Sequence, residues 1–304
     1  MISWRFALVV ACVGIMLAGC DSTSLDEFEP EYVVEGYLRA GDRLPVIRVS
    51  RTIELDASYD PSGTGIADAL VSVSLLNEAG EIDELTEYRS SEDNPGYYIP
   101  DPGTGETPMV QPLRTYELLV DVPDASELIT ATTFVPDTFS ISRSGPDSVE
   151  YQASEQFSFL VSPTTYPGRQ NVFLFTTLAR DAGPDTVTPF GESLLEDSEL
   201  TIEDLREQAS PLLNEENFER TDNDFLLIRF PWLGVYFYGR NRVSVSALDD
   251  NLHDFIRSQS VQQGGSTLPP GEIPNVLERV DGGRGVFGSY SRANISIYVL
   301  ESTE

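Results

Sequence analysis

Short runs of alternating apolar and polar residues recur along the chain from about residue 32. In YVVEGYLRA, Val34, Gly36 and Leu38 fall on one side of an extended chain, and a period of two residues is typical of a strand with one buried face. Similar runs, separated by turn-forming Gly, Pro, Asn and Asp, follow in PVIRVSRTIEL (45–55), ALVSVSLLN (69–77), TYELLVDVP (115–123) and LITATTFVP (128–136). The pattern predicts an N-terminal β-sandwich, immunoglobulin-like or prealbumin-like, over residues 32–138.

A second β-rich domain is predicted over residues 139–304. Its candidate strands are richer in aromatic residues and include QFSFLVSP, NVFLFTTLAR, FLLIRFPWLGVYFYG, RVSVSAL and the closing run NISIYVL (294–300). The glycine-rich GGRGVFG (282–288) is interpreted as a tight β-turn. The predicted fold class is therefore mainly β, with two sandwich-like modules and one or two short helices in the second.

Two segments of the second module have helical rather than strand spacing. TIEDLREQASPLL (201–213) places apolar residues three to four apart and opens with Thr201 and Asp204, a capping-box pattern, although Pro211 should break or kink such a helix. LDDNLHDFIRSQSVQQ (248–263) predicts the better helix, because Leu248, Leu252 and Phe255 share one face and acidic residues occupy its first turn.

Near its start the chain carries one charged residue, Arg5, which is followed by an uncharged run from Ala7 to Ala18. That run is shorter than the roughly 20 residues of a membrane-spanning helix, so it indicates a signal peptide, predicted over residues 1–19. The motif Leu17, Ala18, Gly19, Cys20 resembles a bacterial lipobox. It predicts that Cys20 carries the lipid anchor, and palmitate is expected among the attached acyl chains. The alternative is an ordinary signal peptide with a chance cysteine.

Residues 20–31 are polar and acidic, and they predict a flexible tether between the anchor and the fold. The second cysteine, Cys12, lies inside the predicted leader and would leave with it. The mature chain would then keep one cysteine, which excludes a disulfide framework and a cysteine-based metal site.

Charge is strongly unbalanced, with 50 acidic residues against 19 basic ones and a net charge of −31. All the basic residues are Arg. Such a charge opposes compaction unless salt screens it, which favours a protein from a salt-loving bacterium; a GC-rich genome is the alternative reason for Arg in place of Lys. Nucleic acid is not an expected partner, because phosphate binding needs clustered Lys or Arg.

Salt should therefore stabilise the protein. A mature chain carrying Cys20→Ser should show a melting temperature that rises between about 0.05 and about 3 M KCl, because the Debye length falls from about 14 Å to about 2 Å over this range. The measurement is thermal unfolding at each KCl concentration. A flat or falling curve would mean that the charge serves solubility alone.

The order of several short motifs resembles one known family. A lipobox is followed by YVVEGYL, VSRTIEL, ALVSVSL, NPGYYIP, RTYELLVDV and ITATTFVP, and much later by VDGGRGVFGSYS. This order is similar to that of the domain of unknown function 4249 family of Bacteroidota lipoproteins, and the similarity covers most of the mature chain. The acidic insertion around residues 192–224 departs from it.

The resemblance implies a protein anchored in the outer membrane, on the cell surface or the periplasmic face. Asp21 alone would imply inner-membrane retention under the enterobacterial rule, whereas acidic residues behind the lipidated cysteine resemble Bacteroidota surface-export signals. Members are generally encoded beside TonB-dependent receptors, so the implied partner is such a receptor. The family brings no established ligand and no catalytic residues.

No catalytic constellation emerges from the residues themselves. His253 is the one histidine and is interpreted as a helix residue; zinc ligands and phosphate-binding glycine loops are missing. Carboxylate pairs arise by chance among so many acidic residues and are no evidence of glycoside hydrolysis. The sequence therefore predicts no catalytic site and no metal site. Two acidic loops are weak candidates for binding calcium, and the alternative is that they are ordinary solvated loops. They contain Asp222, Asn223 and Asp224, and Asp56 with Asp60.

Aromatic residues are the remaining candidate contacts. Trp232, Tyr236 and Tyr238 crowd one short stretch, and such side chains serve sugar or protein binding when exposed and core packing when buried. The preferred hypothesis is a non-enzymatic outer-membrane lipoprotein that acts as an accessory of a TonB-dependent uptake system. The alternatives are a stand-alone surface module that binds carbohydrate or peptide and, less favoured, a carboxylate hydrolase.

Overall fold

The computed structural model describes residues 28–54, 57, 60, 63–103, 105–123, 125–154, 156–260 and 277–302. Within these ranges the chain is mainly β and sandwich-like, as predicted, with two main apolar cores and three short α-helices. The predicted signal peptide, its lipobox and Cys20 lie outside the described residues. So does most of the predicted tether.

The N-terminal module contains seven strands. Five of them fall in the predicted runs and alternate as the sequence predicts, whereas the strands Ile82–Ser90 and Tyr97–Pro100 are not predicted. In the first strand Val34 and Leu38 are fully buried, while in the third Val71, Val73 and Leu75 face the core. The strands are β1 (Tyr32–Arg39), β2 (Ile47–Arg51), β3 (Leu70–Leu76), β4 (Ile82–Ser90), β5 (Tyr97–Pro100), β6 (Thr115–Asp121) and β7 (Ile129–Phe134).

The remaining strands follow from residue 141 onward. They are β8 (Ile141–Arg143), β9 (Ser148–Glu150), β10 (Ser158–Val161), β11 (Val172–Ala179), β12 (Glu207–Ala209), β13 (Leu213–Asn214), β14 (Glu219–Arg220), β15 (Leu226–Arg229), β16 (Gly239–Leu248) and β17 (Arg284–Leu300). The helices are α1 (Pro189–Asp197), α2 (Ile202–Arg206) and α3 (Asp250–Ser260), with single 3₁₀ turns at Pro184–Thr186, Glu215–Asn217 and Trp232–Gly234.

One large mixed sheet runs through both modules. Its order is β12-β11-β16-β17-β1-β2-β5-β4-β3-β6-β7, with β13 beside β11 and β9 beside β17. A second sheet, β14-β15-β10-β8, covers the C-terminal part. The first half of β17 pairs in parallel with β1 and its second half pairs antiparallel with β16, so a single 17-residue strand joins the two modules.

Strand β17 contributes side chains to the apolar cores of both modules. Phe287 of β17 is fully buried in the N-terminal core together with Val34, Ile47 and Leu118, whereas Ile297 of the same strand lies in the C-terminal core. A division of the chain at residues 138 and 139 therefore assigns Phe287 to the wrong core. The N-terminal sandwich is completed by residues from the far end of the sequence.

One glycine of GGRGVFG, Gly285, allows β17 to pair closely with β1. The predicted tight β-turn in this segment is wrong. Strand β17 already begins at Arg284, and Gly285 has a φ of 104° within it. A Cβ atom at Gly285 would lie 2.0 Å from the carbonyl oxygen of Val34. Only glycine allows β17 to approach β1 so closely in this backbone conformation.

The helix predicted over residues 201–213 is mostly wrong, although its start is confirmed. Thr201 and Asp204 form the capping box, with Asp204 N donating to Thr201 Oγ1 (3.3 Å) and Thr201 N to Asp204 Oδ2 (2.8 Å). The helix ends at Arg206, and β12 pairs with the open edge of β11, where Ser210 N donates to Phe175 O (2.8 Å). Pairing with that edge outweighs the local helical spacing.

The helix predicted over residues 248–263 is confirmed as α3 over Asp250–Ser260; residues 261–263 lie outside the described part. Its N-terminus seals the outer edge of β7. Asn251 Nδ2 donates to Thr132 O (2.7 Å), Ser289 Oγ donates to Phe134 O (3.1 Å), and Thr130 exchanges backbone hydrogen bonds with Asp281. The large sheet is thus curved so that β7 lies next to the start of β17. This contact protects the edge of β7, which would otherwise be open.

Candidate functional site

The three predicted contact aromatics occupy two different places. Trp232 and Tyr238 are half-buried and pack edge-on against the buried Tyr151, each with ring centroids 5.6 Å from it. Tyr236 instead lies beside Phe190 of α1, with ring centroids 5.6 Å apart. The structure therefore does not assemble the three residues into one exposed platform.

Tyr236 lines an apolar groove between the β12 edge of the large sheet and β15 of the second sheet. The groove encloses about 280 Å³. The side chains that form it are mostly apolar, and they belong to Phe175, Thr177, Gln208, Ala209, Ser210, Pro211, Leu213, Phe218, Ile228, Arg229, Phe230, Pro231, Leu233, Gly234 and Tyr236. We call this site the apolar groove.

Charge is nearly absent from the apolar groove. None of the described residues that line it carries a carboxylate, and Arg229 is the one charged residue among them. Its guanidinium pairs with Glu219 (2.8 Å), and both side chains are more than half exposed. In a protein with 50 acidic residues, the groove is a locally neutral, apolar region.

The inner end of the apolar groove continues into a narrow crevice that reaches Asn241. Thr177, Gln208, Gly234 and Tyr236 line both spaces. Asn241 is 1% exposed, and its Nδ2 donates to Phe237 O (2.9 Å) and Gly239 O (3.2 Å). These bonds orient the amide, since only its nitrogen can donate, and its Oδ1 has no hydrogen-bond partner among the described residues.

A second, polar cleft of about 580 Å³ lies at the seam between the modules, lined by residues of β6, β7, the start of α3 and the segment before β17. Asp249 in this cleft is 1% exposed; it accepts from Thr133 Oγ1 (2.5 Å) and Leu252 N (2.9 Å). Burial raises the pKa of its carboxyl to about 6. The sequence indicates only a favourable helix-dipole position for Asp249 and does not reveal its cross-module bond.

Two other charged residues that line the polar cleft, Asp250 and Arg279, are already paired. Arg169 Nε binds Asp250 (2.6 Å) and its guanidinium stacks 4.0 Å from the Tyr166 ring centroid. Arg279 binds Asp254, whose other carboxylate oxygen contacts His253 Nδ1 (3.0 Å). His253 is therefore a half-buried residue of α3, in agreement with the sequence interpretation.

The candidate calcium loop at residues 222–224 gains no ligand set among the described residues. Asp224 has a φ of 65°, and its carboxylate is held by Arg220 (2.6 Å), so a cation there would compete with an existing ion pair. Asp222 and Asn223 are exposed beside it. Asp60 is described, whereas Asp56 lies outside the described residues. Across the described ranges, His, Cys, Asp and Glu form no group of three suited to a metal ion.

None of the helices within the described part of the chain is long and apolar enough to cross a bilayer.

Solved structures offer only distant similarity. Trypsin-activated α2-macroglobulin from Escherichia coli is 11% identical, with 89% of this chain and 16% of that chain covered and a TM-score of 0.22. The tetra-tandem repeat from the extending region of a large adhesion protein is 10% identical, with 88% and 49% covered and a TM-score of 0.23. The chain thus spans less than half the length of either protein, and scores this low support no functional argument.

Family membership is much clearer. No curated protein matches the chain. A family model described as "Domain of unknown function (DUF4249)" matches residues 21–296, which is most of the sequence. The family suggested by the order of motifs is confirmed, and the chain belongs to the DUF4249 family.

Proposed function

We propose that this protein is a non-enzymatic lipoprotein of the outer membrane that acts as an accessory of a TonB-dependent receptor in nutrient uptake. The apolar groove is the observation that carries the binding role. It is concave, predominantly apolar and edged by a few polar groups, which are the usual attributes of a binding site. The receptor partner is taken from the genomic setting that the family implies.

The positions of the acidic residues also favour a binding function over a hydrolytic one. Glycoside hydrolysis needs two carboxyl groups that face each other across the substrate. Among the described residues Asp249 is the one carboxylate that is buried, and Thr133 and Leu252 both donate to it as part of the module seam. Its role in the structure is to cap α3 and hold that seam.

Attachment through Cys20 should be separable from folding. The first strand starts at Tyr32, and Glu31 already contacts the fold through Thr52 and Arg284. Cys20→Ser is expected to move the protein from the membrane to the soluble fraction without lowering its melting temperature, because the strands that build both cores begin only at Tyr32. Fractionation after a high-salt wash, together with thermal unfolding, measures both; continued membrane association would show that the lipid is not the attachment.

Receptor association is tested by purification from outer membranes. The native lipoprotein is captured in mild detergent at high salt, and the co-purifying proteins are identified by mass spectrometry. A TonB-dependent receptor in stoichiometric amount is the expected result. A matched capture with Leu233→Asp at the rim of the groove and with Leu200→Asp elsewhere asks whether the groove contributes, since both leucines are exposed. Absence of any receptor from the wild-type capture would contradict the accessory role.

A stand-alone carbohydrate-binding module is the second candidate, and one feature favours it. A cleft of about 430 Å³ beside Trp232 is lined in part by amide and hydroxyl side chains, those of Gln152, Ser154, Gln156 and Ser158, and also by Leu227 and Arg229. Aromatic and amide groups together are suited to sugar rings and hydroxyls. Trp232 is the one tryptophan outside the predicted leader, so glycan titrations followed by its fluorescence, with Gln156→Ala as the variant, test this candidate directly.

A further inference from the structure

We infer that the apolar groove and the crevice at its inner end form a binding site for a small, uncharged ligand with a flat apolar body and one hydrogen-bond donor. This inference rests on the proposed binding function and specifies the class of molecule bound. Three observations carry it: the size and lining of the groove, the absence of carboxylates from that lining, and the unpaired acceptor of Asn241.

Size and lining set the apolar body. A volume of about 280 Å³ lies at the lower end of the roughly 300–1,000 Å³ that small-molecule sites occupy. Phe175 and Phe218, with ring centroids 5.6 Å apart, form one wall, and Ile228 with Phe230 belongs to the other strand layer. Flat rings have room in such a space, and their burial against aromatic walls is favourable.

Charge in the lining sets the charge of the ligand. A cationic ligand would find no carboxylate among the described residues that line the groove or the crevice. An anionic ligand would meet two guanidinium groups, and both are already paired: Arg229 with Glu219 (2.8 Å) and Arg206 of the crevice with Glu203 (3.2 Å). An ionised group moved into the groove would lose hydration without a counter-charge. A neutral ligand has no such cost.

Asn241 sets the hydrogen-bond donor. Its Oδ1 is buried and unpaired, while both protons of its Nδ2 are used. The crevice that Asn241 lines is too narrow for a water molecule in this conformation. A buried acceptor without a partner costs free energy, and a ligand N–H or O–H that reaches it removes that cost.

Gln208 lies between the apolar groove and the crevice that Asn241 lines. Its side chain lines both spaces and is held by one hydrogen bond, from Nε2 to Asp204 O (2.6 Å). Leu205 of the five-residue helix α2 forms the other side of the crevice. Entry of a ligand into the crevice would therefore require Gln208 to rotate away from Asp204.

Indole and benzofuran are the matched probes. They share shape and apolar area, but only indole carries an N–H donor. In isothermal titration calorimetry of the full mature chain with Cys20→Ser, indole is expected to bind about tenfold more tightly than benzofuran, the effect of one good hydrogen bond to a buried acceptor. Equal affinities, or no binding of either probe, would overturn the inference.

Ala209→Trp tests the location. Ala209 lies on the edge strand β12 and its side chain lines the groove, so an indole ring placed there fills the space. Indole affinity should fall at least tenfold, whereas Leu200→Trp, at an exposed apolar position outside the lining, should leave it unchanged. Circular dichroism melting curves confirm that both variants fold. Unchanged indole binding by Ala209→Trp would place the probe elsewhere and contradict the site.

Receptor capture distinguishes this inference from the proposed function. If Ala209→Trp abolishes receptor capture while neither probe binds the wild-type protein, the groove is a protein-docking surface and the small-ligand inference is wrong. If the probes bind as expected and no receptor co-purifies, the ligand site stands and the accessory role fails.

Discussion

Phe287→Ala is expected to lower the free energy of unfolding by about 3–5 kcal/mol, as the removal of a fully buried aromatic side chain does. Phe287 is 0% exposed and belongs to the N-terminal core, although more than 200 residues of sequence separate it from β1. Its ring lies on the core side of β17, close to Gly36 and Ile47. The cavity left by alanine therefore opens in the middle of the N-terminal sandwich.

Urea unfolding measures the loss, and hydrogen exchange locates it. Amides of β1 and β2 should exchange faster in Phe287→Ala, because these strands lose their buried contact first. Tyr298→Ala on the same strand is the control: Tyr298 is 45% exposed, so its loss should change stability by about 0.5 kcal/mol or less. Faster exchange confined to β11 and β16 would show that Phe287 does not support the N-terminal core.

Asp249→Ala is expected to lower the free energy of unfolding by about 2–4 kcal/mol at pH 5. The substitution removes the N-terminal cap of α3, worth about 1 kcal/mol, and leaves the Thr133 hydroxyl and the Leu252 amide without their acceptor, at about 1–3 kcal/mol. Thr133 Oγ1 is also 2.6 Å from Ser289 Oγ, so three elements lose a common contact. Urea unfolding at fixed pH measures the change.

The pH dependence of this contact has a defined sign. Burial raises the pKa of Asp249 to about 6 in the folded protein, whereas an unfolded aspartate titrates near 3.9. Between these values the folded state holds more protons than the unfolded state, so the contribution of Asp249 is fully present below about pH 4 and is lost as the pH rises through about 6. The loss amounts to about 3 kcal/mol, because each unit of pKa difference is worth about 1.4 kcal/mol.

Asp249→Asn isolates this effect from the other carboxylates. Its amide oxygen still accepts from Leu252 N, and its nitrogen can donate to Thr133 Oγ1, but it does not ionise. The stability difference, wild type minus Asp249→Asn, should fall by about 2 kcal/mol from about pH 4 to 7, because at pH 4 the unfolded aspartate is already about half ionised. A difference that stays constant across this range would mean that Asp249 titrates normally in the folded state.

Prediction of the site from sequence was partial. The aromatic stretch identified Tyr236, which lines the groove, but it grouped Tyr236 with Trp232 and Tyr238, which pack on Tyr151 instead. Alternation of buried and exposed positions along a strand separates neighbouring side chains onto different faces. Asn241 gave no sequence signal, since an asparagine at the start of a strand is usually part of a turn.

Local pattern alone determined the mainly β fold, five of the seven strands of the N-terminal module, the capping box at Thr201 and the helix of residues 250–260. Those features depend on side-chain periodicity and capping, which operate over a few neighbouring residues. Only the tertiary structure decided that Phe287 completes the N-terminal core, that residues 207–209 form a strand on the edge of β11, and that Asp249 joins the modules through Thr133. These outcomes depend on which distant segments meet, and pairing with a free strand edge or filling a core contributes more free energy than the local preference of a few residues.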